Sequence, residues 1–255
     1  LAGADAVLCE DSRITSRLYA LHGLPTRPFL PYHDHNADRV RPEVLERLRA
    51  GAALVLVSDA GTPLISDPGF KLVREAVAAG VPVTTLPGPS SLLAALTLAG
   101  LPTDRFHFAG FLPEKTNQRR AALADLARLP STLVLLEATH RLPAALSDMA
   151  EILGARPAAV GRELTKLHEE VRRATLPELA EHYAQVGAPK GEAVVVIGPP
   201  AEAPPIAQAE IDAMLRRELE AGLRLAEAVE RVTAASGGRR REIYARALAL
   251  RDQGA

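Results

Sequence analysis

Short apolar runs alternate along this chain with segments of helical period, and few folds accept that pattern. The runs at 4–9, 53–57, 81–86, 105–108, 133–137, 158–162 and 193–198 read as buried strands. Helical spacing occupies 12–21, 40–50, 70–79, 90–99, 117–129, 142–153 and 176–186. Repeated β–α alternation predicts α/β architecture, with open sheets and many parallel pairs. Thr175 and Glu178 stand at the spacing of a capping box, and Gly51, Gly80, Gly100 and Gly154 are placed to close helices. The pattern breaks at 100–105 and again in the Pro/Ala stretch 198–205. Those breaks predict an α/β domain over 1–103, a second over 104–200, and a helical extension over 206–255. The extension reads as helices at 206–221, 225–235 and 240–250, turned at Gly237-Gly238, in the manner of a small helix-turn-helix bundle.

The 255 residues suffice for such an arrangement, and 47% hydrophobic content can fill its cores. A single cysteine, Cys9, excludes an internal disulfide and fits a reducing, cytoplasmic setting. Its apolar neighbours make it a small buried hydrophobe. No run approaches the roughly 18 apolar residues that a membrane span needs. A net charge of −1 gives no global field toward nucleic acid. Within 201–255 acids and bases balance at nine each, and Arg239-Arg240-Arg241 is the one basic cluster there.

Polar residues gather just past the strand ends, where open α/β sheets hold ligands. The richest loop is Ser58-Asp59-Ala60-Gly61-Thr62-Pro63, followed by Asp67 as expected N-cap and Pro68 as expected first helical residue. Its carboxylate and glycine suit a neutral or cationic ligand with hydroxyls, not a phosphate. A second loop, Pro87-Gly88-Pro89-Ser90-Ser91, opens a helix whose free N–H groups could face the same ligand. Glu10-Asp11-Ser12-Arg13, Glu137-Ala138-Thr139-His140-Arg141 and Arg162-Glu163-Leu164-Thr165-Lys166 each follow a strand. His33-Asp34-His35-Asn36 has metal-like spacing, but the other histidines are scattered, so no metal is expected. The chain has no Gly-x-Ser-x-Gly elbow, no Cys/His nucleophile pair and no P-loop. Such a site is built to position reactants rather than to form a covalent intermediate.

Taken in order, these motifs, with Ile65-Ser66-Asp67-Pro68-Gly69, Gly110-Phe111-Leu112-Pro113 and Lys190-Gly191-Glu192, resemble the RNA-modifying branch of the tetrapyrrole methylase-like superfamily. The resemblance runs from Leu1 to about Gly198, and the helical tail is similar to the extension found in that branch. It implies two α/β domains with S-adenosylmethionine in the cleft between them. It also implies a homodimer and methylation of the 2′-hydroxyl of a cytidine in the decoding region of 16S ribosomal RNA, on the 30S subunit. Asp59, Ala60, Gly61, Leu64 and Ile65 would then hold the amino-acid and ribose parts of the cofactor. Ser90 and Ser91 would touch it from the second loop, and Leu136, Glu137, Ala193 and Val194 would line the adenine. Arg13, His140, Arg141, Arg162 and Lys166 would engage the RNA, and Glu10, Asp11 and Glu137 are the candidate bases. Family members begin with a strand and a Pro-Ile-Gly-Asn-Leu-type loop that this sequence does not contain. That departure implies weak or no activity, or a beginning that the given sequence leaves out. Two rivals remain open: a related methylase of tetrapyrroles or protein, and a non-catalytic ribosome-assembly RNA binder. The Glu-Asp-Ser-Arg and Arg-Glu-Leu-Thr-Lys motifs and the tail favour RNA.

Overall fold

Strands β4 (Phe106–Phe111), β5 (Thr132–Ala138), β6 (Pro157–Arg162), β7 (Glu170–Thr175) and β8 (Glu192–Ile197) form one sheet in the order β4-β5-β8-β6-β7. Its central strands are apolar on both faces because both are covered. Leu133 and Leu135 of β5, with Val195 and Ile197 of β8, pack under helices α5 (Thr116–Leu126), α6 (Leu142–Leu153) and α7 (Leu176–Val186). The alternate residues Val134, Val194 and Val196 face the other way. There they meet Leu92, Ala95, Leu96 and Ala99 of helix α4 (Ser91–Ala99). The computed structural model describes residues 1–201 and 207–253. Its contacts divide the chain into two compact units, 1–200 and 201–255.

The second sheet of the larger unit lies earlier in the chain. Strands β1 (Ala6–Cys9), β2 (Phe29–Pro31) and β3 (Leu54–Val57) pair in parallel in the order β2-β1-β3. Helices α1 (Ser12–Leu21), α2 (Ala37–Arg49) and α3 (Phe70–Ala78) connect them or follow them. Parallel pairing sets Cys9, Pro31 and Val57 in one row, so the loops that follow all leave the same edge. Cys9 is fully buried, and that burial pushes its thiol pKa up. Asp11 caps α1 by accepting the Arg13 N–H at 2.8 Å.

The structure corrects four expectations. Residues 81–86 form no strand, since β3 meets β1 on one side and no described strand on the other. With no partner for its backbone, that segment leaves Val83 and Leu86 exposed. The sheet of 106–197 is mixed: only β4–β5 is parallel, and the pairs β5–β8, β6–β8 and β6–β7 are antiparallel. The short 163–169 connection leaves β6 and β7 no other way to pair. Helix α3 begins at Phe70 behind Gly69, whose φ of 131° suits glycine, so Pro68 lies outside it. Asp67 does not cap that helix; its carboxylate accepts the Ser58 hydroxyl at 2.5 Å. Strands β2 and β7 were not expected at all. The capping box of α7 is present, with Glu178 accepting the Thr175 N–H at 2.8 Å.

In the smaller unit, α8 (Gln208–Glu220), α9 (Leu225–Ser236) and α10 (Arg240–Gln253) share a core of Leu215, Val229, Val232, Ile243, Ala247 and Leu250. Gly237, at φ 63°, turns the chain between α9 and α10. Arg246 of α10 grips Asp212 of α8 with two hydrogen bonds. Residue 206, expected to open the first helix, lies outside the described residues.

Candidate active site

A cavity of about 750 Å³ lies in the larger unit, where loops from both sheets meet. Its size suits a cofactor-sized molecule. From the edge of the parallel sheet come Ala60, Gly61, Thr62, Ile65, Ser66 and Asp67. The start of α4 contributes Ser90 and Ser91, and the antiparallel pair β5–β8 contributes Leu136, Glu137, Ala193 and Val194. His140, in the 3-10 turn Thr139–Arg141, and Lys166 complete the rim. Residues near positions 60, 90, 110, 140, 165 and 190 are thus brought to one wall only where strand ends and helix starts converge.

Two loops here hold strained backbone. Leu64 and Ser66 adopt φ of 72° and 61°, and Glu163 and Thr165 adopt 48° and 64°. Non-glycine residues there are uncommon and cluster at ligand-holding sites. The first loop is tied down by Ser58 to Asp67 and by the Thr62 hydroxyl donating to Pro89 O at 2.9 Å. That bond joins the 58–67 loop to the loop before α4. Ser90 Oγ accepts the Leu93 N–H at 3.3 Å, which caps α4 and leaves its first N–H groups near the cavity.

In the second loop, Glu163 accepts the Glu192 N–H at 3.0 Å and the Lys166 ammonium at 3.0 Å. The hydrogen bond from Lys166 holds the Glu163 carboxyl below its ordinary value, and the same bond raises the lysine. Lys166 also reaches Glu192 at 3.1 Å. It therefore stays a fixed positive charge on the rim.

The structure divides the expected site residues. Ala60, Gly61, Ile65, Ser90, Ser91, Leu136, Glu137, Ala193, Val194, His140 and Lys166 line the cavity. Asp59, Leu64, Glu10, Asp11, Arg13, Arg141 and Arg162 stand outside its walls. Asp59 links the strand ends: its carboxylate accepts the Asp11 N–H, and its own N–H donates to Glu10, both at 3.3 Å. Arg13 clamps Asp11 at 2.5 Å, and its guanidinium holds the Asp11 carboxyl down at about 2. Glu137 is 2% exposed and pairs with Arg141 at 2.8 Å, while Arg141 also reaches Glu114 at 3.4 Å. Arg162 bonds Glu170 at 3.1 Å and the Lys190 carbonyl at 3.2 Å. Among the described residues, no group of three or more His, Cys, Asp or Glu is arranged to hold a metal.

Sequence reading missed Phe108, Phe111, Leu164 and Gly191, all in the cavity wall. In a regular strand residues three apart face opposite ways. A register shift between Phe108 and Gly110, with Gly110 at φ 65°, brings both phenylalanines to the wall. The glycine was the available signal.

Residues 1–180 match the family model of the Tetrapyrrole (Corrin/Porphyrin) Methylases, and 205–251 match the RsmI C-terminal HTH domain. The ribosomal RNA small subunit methyltransferase I of Mesorhizobium japonicum is 47% identical, over 99% of this chain and 85% of its own length. That of Mycobacterium bovis is 44% identical, over 96% and 85%. Among solved structures, the uroporphyrin-III C-methyl transferase of Thermus thermophilus, complexed with S-adenyl homocysteine, is 26% identical with a TM-score of 0.50. That match covers 78% of this chain and 87% of the other. The chain belongs to the tetrapyrrole methylase family and, within it, to the ribosomal RNA small subunit methyltransferase I proteins.

Proposed function

We propose that this chain methylates the ribose 2′-hydroxyl of a cytidine in the decoding region of 16S ribosomal RNA, using S-adenosylmethionine, on the 30S subunit in the cytoplasm. The observation that carries this reading is the meeting of five separated loops on one cavity. The named relatives support the ribosomal substrate.

The donor set fits the cofactor. Phe108, Leu136, Leu164 and Val194 offer an apolar wall for a purine, and Gly61 and Gly191 let backbone approach closely. Ser90, Ser91 and Asp67 offer polar partners for the amino-acid end. Asp59 and Leu64 act one step back: Asp59 ties the loop to Glu10 and Asp11, and Leu64 supports its turn. When bound, the sulfonium supplies an activated methyl group and its own leaving group. The protein's task is then to align the ribose oxygen and exclude water, which can lower a barrier by roughly 7–11 kcal/mol. A base for the hydroxyl proton would add about 10²–10⁴-fold. Of the three candidate carboxylates, Glu137 is committed to Arg141 and Asp11 to Arg13, which favours Glu10. Arg13 and His140 are exposed and Lys166 is half so, and they are placed to meet phosphates. Arg141 and Arg162 act behind them by fixing Glu137 and Glu170. We also read 1–103 and 104–200 as separate domains of the larger unit, and the working form as a homodimer.

Transfer of labelled methyl to isolated 30S subunits, mapped by mass spectrometry of 16S ribosomal RNA digests, tests this. The expected product is one cytidine heavier by a ribose methyl. Labelling of a porphyrinoid but not of 30S subunits would overturn the substrate. Absence of S-adenosylmethionine binding by calorimetry would overturn the enzyme.

A further inference from the structure

The arginines of the helical unit are not spent alike. Arg217 and Arg231 pair with Glu218, Arg224 with Glu227, and Arg246 with Asp212. Arg239 reaches Glu242 at 3.6 Å. Arg240 and Arg241, the first two residues of α10, have no carboxylate partner among the described residues and are exposed. At 100° per residue, Arg240, Arg251, Tyr244, Leu248 and Arg241 fall in that order within one sector of about 100° on α10, along one flank of its buried stripe of Ile243, Ala247 and Leu250. Tyr244 is 43% exposed there, one turn beyond the two arginines. From 240 to 251 that side carries no carboxylate.

Two uncommitted guanidiniums beside an exposed aromatic ring match a particular partner. Guanidiniums clamp phosphate oxygens, and a tyrosine face stacks on an unpaired base. Duplex DNA and A-form RNA helices keep their bases stacked inside, so the ring favours single-stranded or looped RNA. The unit's acids and bases nearly balance, so the attraction is local to this face and not a property of the whole unit. We propose that this flank of α10, through Arg240, Arg241 and Tyr244, is an RNA-docking surface that binds ribosomal RNA. This rests on the ribosomal reading above and adds a second point of RNA contact to it.

Binding of the whole protein to 30S subunits as a function of salt tests the surface. The paired variant Arg240→Glu/Arg241→Glu should bind about tenfold more weakly at 0.15 M salt. The slope of log affinity against log salt should fall by about 1.5, since each lost phosphate contact removes about 0.7–0.9. Arg240→Lys/Arg241→Lys should keep that slope. Tyr244→Ala should weaken binding about fivefold with the slope unchanged. Thermal melting by circular dichroism checks that each variant is folded. A folded glutamate pair with parental affinity and slope would overturn the proposal, and so would loss of the slope in the lysine pair. Binding of duplex DNA as tight as that of 30S subunits, through the same two arginines, would replace RNA with DNA as the partner. Methyl incorporation by the unaltered protein is read in parallel. Its absence refutes the ribosomal reading, whereas intact incorporation with unaltered binding by the glutamate pair refutes only the surface.

Discussion

Replacing Gly191 with alanine perturbs the cavity at one defined point. Gly191 has φ of 100°, a conformation that L-residues rarely adopt. Forcing alanine there costs about 1–2 kcal/mol. The added methyl would also stand 2.5 Å from Cγ and Cδ of Glu163, and nearer still to Oε1. Overpacking of that kind typically costs about 1–3 kcal/mol. Glu163 has no easy retreat, because its carboxylate is held by the Glu192 N–H and by Lys166. The two effects together give a destabilisation of about 2–5 kcal/mol. For a unit of about 200 residues that lowers Tm by roughly 5–15 °C. Circular dichroism melting and urea titration read it directly. Glu163→Ala separates the two effects. Added to Gly191→Ala it removes the overlap and leaves the backbone cost, so the double variant should be less destabilised than the two single changes sum to. A Gly191→Ala protein within about 0.5 kcal/mol of its parent would refute the reasoning, as would strict additivity.

Three further outcomes follow from the geometry. Asp11 titrates at about 2, held below its ordinary 3.8 by the Arg13 side chain first and the Arg13 backbone N–H second. A carboxylate lowered on folding stabilises fully above its unfolded value, so the contribution is intact above about pH 4 and fades as pH falls through 2. By NMR, Arg13→Gln should move the Asp11 midpoint upward toward 3.8, and a midpoint still at about 2 would count against the pair. Glu137→Ala should cost about 3–5 kcal/mol, because it strips the buried side of Arg141 of its partner. A urea midpoint equal to the parent's would show that Arg141 finds another partner at no expense. Leu96→Ala, at 4% exposure between α4 and the mixed sheet, should cost about 2–5 kcal/mol. A loss below 1 kcal/mol would mean that α4 does not hold the cavity wall.

Period carried most of the fold. Helices α1, α6 and α7 stand where the spacing of their apolar residues put them, because each buries one stripe. Strand β7 was hidden by its own composition: Glu170, Arg172 and Arg173 belong to a sheet edge that water can reach, and edges do not need apolar alternation. Strand β2 has only three residues, one of them Pro31. Residues 81–86 show the opposite failure. Their apolar pattern reads as a strand, but a ladder is a property of two neighbours, and no single run of sequence states who its neighbour is.

The same distinction governs the site. Loops at strand ends were legible because turn residues announce themselves, and eleven of the expected positions do line one cavity. Which charge remains available was not legible. Arg141 and Arg162 read from sequence like Arg13, and the fold sets a carboxylate against each of the three, but it buries most of the first two and leaves the third 89% exposed. An arginine's work is set by the nearest acid, and that acid is chosen by tertiary structure. On α10 the same principle acts in reverse. Arg239, Arg240 and Arg241 are one uniform run in sequence, and only the position of Glu242 shows that the first of them is paired while the other two have no carboxylate partner among the described residues. Charge that a fold leaves unneutralised on one face, while neutralising it nearly everywhere around, is the charge a partner can still use.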